Sequence, residues 1–172
     1  MKLLVTGVPG TGKTTISKKL AEILNLTHIN VGHYAKNHFD FPIEEGEIVV
    51  DEILMEEELE KLENIIIDSH IPFKADKAII LRCSPTVLFD RLSKRNYNME
   101  KIKDNLLSEI LDYVVCEAKD IFDEKDIYEV LSENMDDAIK EILEIVKGKG
   151  ISLKNGNHHN FLTEDNILLI EK

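Results

Sequence analysis

Residues Gly7-Val8-Pro9-Gly10-Thr11-Gly12-Lys13-Thr14 read GxxxxGKT, and the chemistry open to that pattern is the grip of a polyphosphate. Glycines in such a loop let successive backbone N–H groups turn inward around phosphate oxygens. Lys13 has the reach and charge for the β and γ phosphates, Thr14 offers a hydroxyl to magnesium, and a helix starting there adds its positive end. Thr15 continues that helix within reach of an α phosphate. A short apolar run, residues 2–6, precedes the loop, and residues 14–24 carry Ile16, Leu20, Ile23 and Leu24 at helical spacing. Strand, loop and helix therefore stand in the order that phosphate binding requires.

A nucleotide–magnesium site also wants a carboxylate at the end of a neighbouring buried strand, and Asp68 follows Ile65, Ile66 and Ile67 directly. His70 comes two residues later. In an extended chain, alternation would aim it with Asp68 at the phosphates, where it could orient a water or a phosphate oxygen; a histidine bonded within the following loop fits the spacing equally well. The chain has three arginines, Arg82, Arg91 and Arg95, all within 14 residues. Arg82 falls at the carboxyl end of a predicted strand, the edge where open α/β sheets bind ligands, and Arg91 and Arg95 are one helical turn apart. Guanidinium forks suit phosphate oxygens better than ammonium groups, so the set is expected to clamp transferring phosphates. A basic helix face paired with an acidic helix is the plainer alternative.

The elements that must position these groups follow from patterning. Strands are expected at 2–6, 27–31, 64–68, 77–83 and 126–130, and helices at 14–24, 47–63, 84–95, 99–122 and 134–146. The near-continuous apolar runs NIIID and KAIILRC fit strands covered on both faces. After the strand at 27–31, residues 32–46 read as a polar, turn-rich stretch carrying His33, Tyr34, Phe39 and Phe41, while Val49, Ile53, Leu59 and Leu62 are expected on the inner side of the following helix. Ser84-Pro85 is a helix start in which Ser84 could accept from free backbone N–H groups. Alternation of strands and helices predicts an α/β fold of P-loop type, a five-stranded parallel sheet with helices on both faces, spanning residues 1–150. Residues 151–172, two apolar stretches around NGNHHNFLTEDN, predict an irregular hairpin; the His158-His159 pair has no further metal ligands beside it in sequence.

At 172 residues, 43% hydrophobic and 31% charged, the chain is expected to be one globular domain. Its 33 acidic and 21 basic side chains leave a net charge of −12, which argues against non-specific nucleic-acid binding and fits a basic protein partner better. The charge is uneven: residues 44–63 hold ten acids and one lysine, whereas residues 82–103 hold six basic residues against Asp90 and Glu100. The acidic run is either a solvated helix face or a docking face. Cys83 and Cys116 have neither disulfide-framework nor zinc spacing, and no apolar run approaches membrane-spanning length, so a cytoplasmic chain, neither exported nor membrane-bound, is expected.

The acceptor is the remaining question. A hydroxyl would call for a well-placed general base, and beyond Asp68 no carboxylate motif announces one. The phosphate of a nucleoside monophosphate is already an anionic nucleophile, so positive clamps and exclusion of water suffice.

Several segments together resemble the adenylate kinase isoenzyme 6 group, also called CINAP, a branch of the nucleoside monophosphate kinases. They are GVPGTGKTT at 7–15, INVGHYAK at 29–36, IVVDEI at 48–53, IIIDSH ending at His70, LRCSPTVLFDRLSKRNYN at 81–98 and KIKDNLLSEI at 101–110, within a resemblance covering about residues 1–147. The resemblance implies transfer of the γ-phosphoryl group of Mg-ATP to AMP or another monophosphate. Gly10, Gly12, Lys13, Thr14 and Thr15 would hold the phosphates, Thr14 and Asp68 the Mg²⁺, and Asp68 and His70 would form a variant Walker B pair. Residues 30–53 would bind the monophosphate, and 94–104 would form a lid from which Arg95 reaches ATP. It further implies ATPase activity and a part in small ribosomal subunit maturation through contact with small-subunit ribosomal protein eleven. The chain departs from the family pattern at His33, where an acid is usual, and at Lys36, where arginine often stands.

Overall fold

The computed structural model describes residues 1–44, 47–95 and 97–171, without the side chains of Glu47 and Ile48. The parts of the monophosphate segment, the acidic run, the lid and the tail that fall on the remaining positions lie outside the described residues. Five strands form one parallel sheet: β1 (Lys2–Thr6), β2 (Thr27–Asn30), β5 (Ile65–Asp68), β6 (Lys77–Arg82) and β7 (Ile127–Leu131), in the order β2-β5-β1-β6-β7. The expected fold class holds. β1, the central strand, pairs Val5 with Asp68 on one side and with Ile79 on the other.

Because strand side chains alternate between faces, the sheet sorts its apolar residues into two cores. Leu3, Val5, Ile66, Ile79, Leu81 and Val130 pack with Ile16 and Leu20 of helix α1 (Lys13–Leu24) and with Ile139 and Ile142 of α7 (Met135–Val146). Leu4, Ile65, Ile67, Ala78 and Ile80 face the other way. They pack against Met55 and Leu59 of α3 (Glu52–Glu60), Leu88 and Leu92 of α4 (Pro85–Ser93) and Leu106 of α5 (Met99–Ile110). Asn134 starts α7 as expected, its side chain accepting from the N–H groups of Asp136 and Asp137.

Five expectations about elements and their caps need correction. The stretch after β2 is not merely polar and turn-rich: α2 (Val31–His38) begins there because the Asn30 side chain accepts from His33 N–H, and a small antiparallel pair, β3 (Ile43–Glu44) with β4 (Glu47–Ile48), follows. The next helix starts only at Glu52, capped by Asp51, so its buried residues are Met55 and Leu59, and Ile53 is 77% exposed. The long helix expected at 99–122 is broken: Asp112 adopts the left-handed region at φ 56°, separating α5 from α6 (Tyr113–Lys119). The tail is no hairpin. It runs through a short 3₁₀ turn at Leu153–Asn155 into α8 (Glu164–Glu171), which packs against α4 and α5. At α4, Ser84 makes no side-chain cap; its N–H donates to Glu133 instead.

Arg82 is also not where the phosphate clamp would need it. Alternation puts it on the same face as Ala78 and Ile80, under α5, and it is 1% exposed. Its Nε donates to Glu109 Oε1 at 3.0 Å, Nη1 to Glu129 Oε1 at 3.0 Å and Nη2 to Asp112 Oδ1 at 2.6 Å. The tail completes this cluster. His158 places Nδ1 2.9 Å from Glu129 and Nε2 3.4 Å from Asp112, His159 N–H donates to Glu129 at 2.6 Å, and the Phe161 ring lies 5.0 Å from the guanidinium. Burial raises the Glu109 carboxyl above its ordinary value even beside Arg82. Removing the one arginine leaves three carboxylates facing each other, and losing one partner of a buried ion pair costs about 3 to 5 kcal/mol. We therefore expect Arg82→Ala to lower unfolding stability by about that amount in a denaturant titration; a change below about 1 kcal/mol would contradict the assignment.

Candidate active site

The site is assembled at the carboxyl ends of β1, β5 and β6, where a doubly wound sheet opens between its helices. The chain leaves β1 at Thr6, turns through the glycine loop and enters α1 at Lys13. Gly12, the residue before that helix, has φ 89°, a conformation glycine adopts without strain. At Gly10, with φ 97°, a Cβ would lie 2.8 Å from Leu88 and 3.0 Å from Leu92, so the loop is seated directly on α4. The loop is tied across itself as Thr11 Oγ1 donates to Val8 O at 2.9 Å.

Lys13 folds back over this loop, Nζ donating to Gly7 O at 2.8 Å and to Val8 O at 3.1 Å. Desolvation there lowers its ammonium from 10.5 to about 8, against the opposing pull of Asp68, and Arg95 lowers it further. Thr14 and Thr15 follow in the exposed first turn of α1.

Asp68 ends β5 and is 2% exposed. Alternation with Ile66 puts its carboxylate on the α1 side of the sheet, towards Thr14. Its Oδ2 accepts from His28 Nε2 at 3.1 Å and from Asn30 Nδ2 at 2.9 Å. Burial alone would raise this carboxyl, but hydrogen bonds from His28, Asn30 and Thr14 outweigh it and hold the group below its ordinary value, hence ionised. An ionised carboxylate beside a hydroxyl is an all-oxygen donor pair that fits Mg²⁺, which takes one or two protein ligands and completes its shell with water and phosphate.

The arginines divide. Arg91 lies against the loop, donating from Nη1 to Gly10 O at 3.3 Å and from Nη2 to Ser132 O at 2.9 Å and Glu133 O at 3.0 Å. It therefore braces the loop backbone and joins it to the end of β7, and the expected outward fork is committed to carbonyls. Arg95 is exposed in the turn after α4, near enough to Lys13 to depress it. His70 sits at an exposed bend beyond the strand, where alternation with Asp68 no longer governs its direction. Of the segment expected as a lid, 94–104, Lys94 and Arg95 form a turn and residues 99–104 already belong to α5, which Asn98 caps through Lys101 N–H.

Lys13, Thr14, Asp68, Arg91 and Arg95 thus gather around one loop, and Arg82 does not. Sequence reasoning missed His28 altogether and saw Asn30 only as the start of a segment. The signal was the alternation of T-H-I-N, which places both side chains on one face; what sequence lacked was the register pairing Asn30 with Asp68.

Residues 3–112 match the AAA domain family. A protein of Methanocaldococcus jannaschii named "Putative adenylate kinase" is 34% identical over 160 residues, which cover 87% of this chain and 88% of that protein. Among solved structures, shikimate kinase from Bacteroides thetaiotaomicron superposes with a TM-score of 0.55 at 20% identity, covering 86% of this chain and 98% of the other. Deoxyadenosine kinase from M. mycoides gives 0.57 at 18% identity, covering 86% of this chain and 100% of the other. These two establish likeness of fold alone, and that fold carries kinases with dissimilar acceptors. With a nucleotide-binding P-loop at the carboxyl end of its central strand, a family match over residues 3–112 and such a relative along most of its length, the chain belongs to the AAA domain family and is a homologue of this archaeal protein named putative adenylate kinase.

Proposed function

We propose that the chain is a broad-specificity nucleoside monophosphate kinase of the adenylate kinase isoenzyme 6 group, transferring the γ-phosphoryl group of Mg-ATP to AMP or another monophosphate in the cytoplasm. The observation that carries this reading is the state of Asp68. A carboxylate held ionised by the His28 and Asn30 donors is a weak proton acceptor, which suits an acceptor that arrives as an anion rather than a hydroxyl awaiting deprotonation. The relatives named adenylate kinase support the same acceptor class.

In this reading the loop N–H groups around Gly10 and Gly12 and the Lys13 ammonium bind and orient the β and γ phosphates. Thr15 lies beside the α phosphate. Thr14 and Asp68 hold Mg²⁺, which supplies charge neutralisation on the phosphate oxygens when bound. Arg91 fixes the loop from behind, and Arg95 closes from the 94–104 lid onto the transferring group. Residues 30–53 hold the acceptor, and His70 stands at the rim where it orients a water or a phosphate oxygen.

A second reading, an ATP-hydrolysing assembly factor that engages small-subunit ribosomal protein eleven during subunit maturation, draws on a separate observation. The acidic run 44–63 continues into α3, whose Glu52 and Ile53 face solvent and could receive a basic, partly apolar surface. Capture of that ribosomal protein by the purified chain, weakened by ATP, is its test, and no capture at low salt refutes it.

Initial rates with ATP alone, ATP plus AMP and ATP plus other monophosphates decide the main reading. Diphosphate formation with at least one monophosphate is expected; ATP hydrolysis that no monophosphate diverts would overturn it. Lys13→Ala should reduce turnover by at least about a hundredfold. Arg95→Ala is expected to lower kcat about tenfold or more while leaving Tm nearly unchanged, because its best contacts form in the closed complex; a lower Tm with full activity would contradict that role.

Lys13 also sets a pH dependence. Its folded value of about 8 lies below the unfolded 10.5, so the free chain gains stability as pH rises between them. Phosphate favours the charged ammonium, so ATP binding should take up a proton near pH 8 and weaken above it by up to about tenfold per pH unit. Calorimetry in buffers of different ionisation enthalpy measures this, and affinity independent of pH from about 7 to 9.5 would disprove it.

A further inference from the structure

We propose that His28 and Asn30 on the edge strand β2 are positioning residues for the metal-side carboxylate. Together they fix one oxygen of Asp68 so that the other is presented to the cation accompanying the nucleotide. This rests on the reading of Thr14 and Asp68 as the Mg²⁺ pair.

The argument starts from register. β2 runs parallel to β5 with His28 beside Ile66 and Asn30 beside Asp68. Alternation therefore turns both β2 side chains to the face where Asp68 lies. Both donors converge on the same atom, Oδ2, at 3.1 and 2.9 Å. Oδ1 is the oxygen that β2 leaves free of its grip, on a carboxylate that lies on the α1 side of the sheet near Thr14. A carboxylate with neither oxygen fixed would rotate about its last bond and lose part of its preference for one coordination direction; fixing one oxygen removes that freedom in advance.

Asn30 is itself held from both ends. Its Oδ1 accepts His33 N–H at 3.0 Å, which starts α2, so the amide is oriented and its Nδ2 must be the group facing Asp68. The same side chain that opens the segment proposed to bind the acceptor thus steadies the carboxylate proposed to hold the metal. His28 contributes from a largely covered position, its side chain 16% exposed, with no part in the α2 cap.

The test is a Mg²⁺ titration of binding to a non-hydrolysable ATP analogue, followed by calorimetry, in wild type, His28→Leu, Asn30→Ser and His28→Gln. Serine keeps a capping oxygen for α2 while withdrawing the amide donor, and glutamine returns a donor near the position of Nε2. Loss of an outer-shell partner of a metal ligand typically costs 10- to 100-fold in metal affinity. We expect the Mg²⁺ midpoint to rise about tenfold in His28→Leu and in Asn30→Ser, with analogue affinity in EDTA changed less than about twofold. His28→Gln should recover most of the loss. Midpoints within twofold of wild type in both variants overturn the proposal, even if Tm falls, since that is the signature of a purely structural role. Should Asn30→Ser not fold, His28→Leu and its glutamine rescue decide alone. No acceptor enters this assay, so a chain that phosphorylates no monophosphate loses the kinase reading while leaving this one standing. Binding with no Mg²⁺ dependence in wild type overturns this one.

Discussion

A parallel sheet covered on both faces forces each strand side chain into one of two helix layers, and the placement of the buried strand charges Asp68, Arg82 and Glu129 follows from that constraint. Even-numbered residues of β6 face α4 and α5, so Arg82 is driven into the layer where Glu109, Asp112 and Glu129 meet it. On β5 the even-numbered residues face α1, so Asp68 is delivered to Thr14. Two ionic centres result, one on each side of the sheet and each at the carboxyl ends of the strands. The first is closed, its guanidinium matched by carboxylates and roofed by His158 and Phe161. The second is open at Thr14, with its carboxylate kept ionised despite burial.

The two centres are joined through the backbone rather than through charge. Ser132 donates from both N–H and Oγ to the carbonyl of Arg82, and its own carbonyl accepts from Arg91, which also holds Gly10. A buried structural cluster on one face therefore braces the phosphate loop at the sheet's edge. Packing does the same work from below, where Leu88 and Leu92 of α4 occupy the space that any side chain at position 10 would need. These neighbours crowd the loop on the α4 side, a support of the kind that preorganised phosphate binding requires.

Much of this was legible in the residues. The glycine loop announces itself because its chemistry is local, and Asp68 is visible because a strand of isoleucines ends on it. The five sheet strands follow from periodicity, whereas α2 was missed and α3 begun too early because the capping side chains Asn30 and Asp51 set those starts, and the break at Asp112 left no mark on the periodic pattern. The misplacement of Arg82 has a different origin. Its position at a strand end suggested the ligand edge, but its face was fixed by alternation, and its partners come from α5 and β7, 27 and 47 residues away. The tail was illegible for the same reason: Asn157, His158 and His159 bond Glu129, which no local pattern connects to them. The grip of His28 on Asp68 depends on which strand lies beside β5, and sequence spacing carries no record of that.

What unites the site is a division between groups that hold charge still and groups that meet it. In the proposed reading, Arg91, His28 and Asn30 belong to the first kind, and Lys13, Thr14, Asp68 and Arg95 to the second. The most direct check of phosphoryl transfer by this arrangement is to follow a label from the γ position of ATP in the presence of AMP and Mg²⁺. Label recovered in the β position of ADP newly formed from AMP is the expected result; label found in inorganic phosphate alone would contradict it.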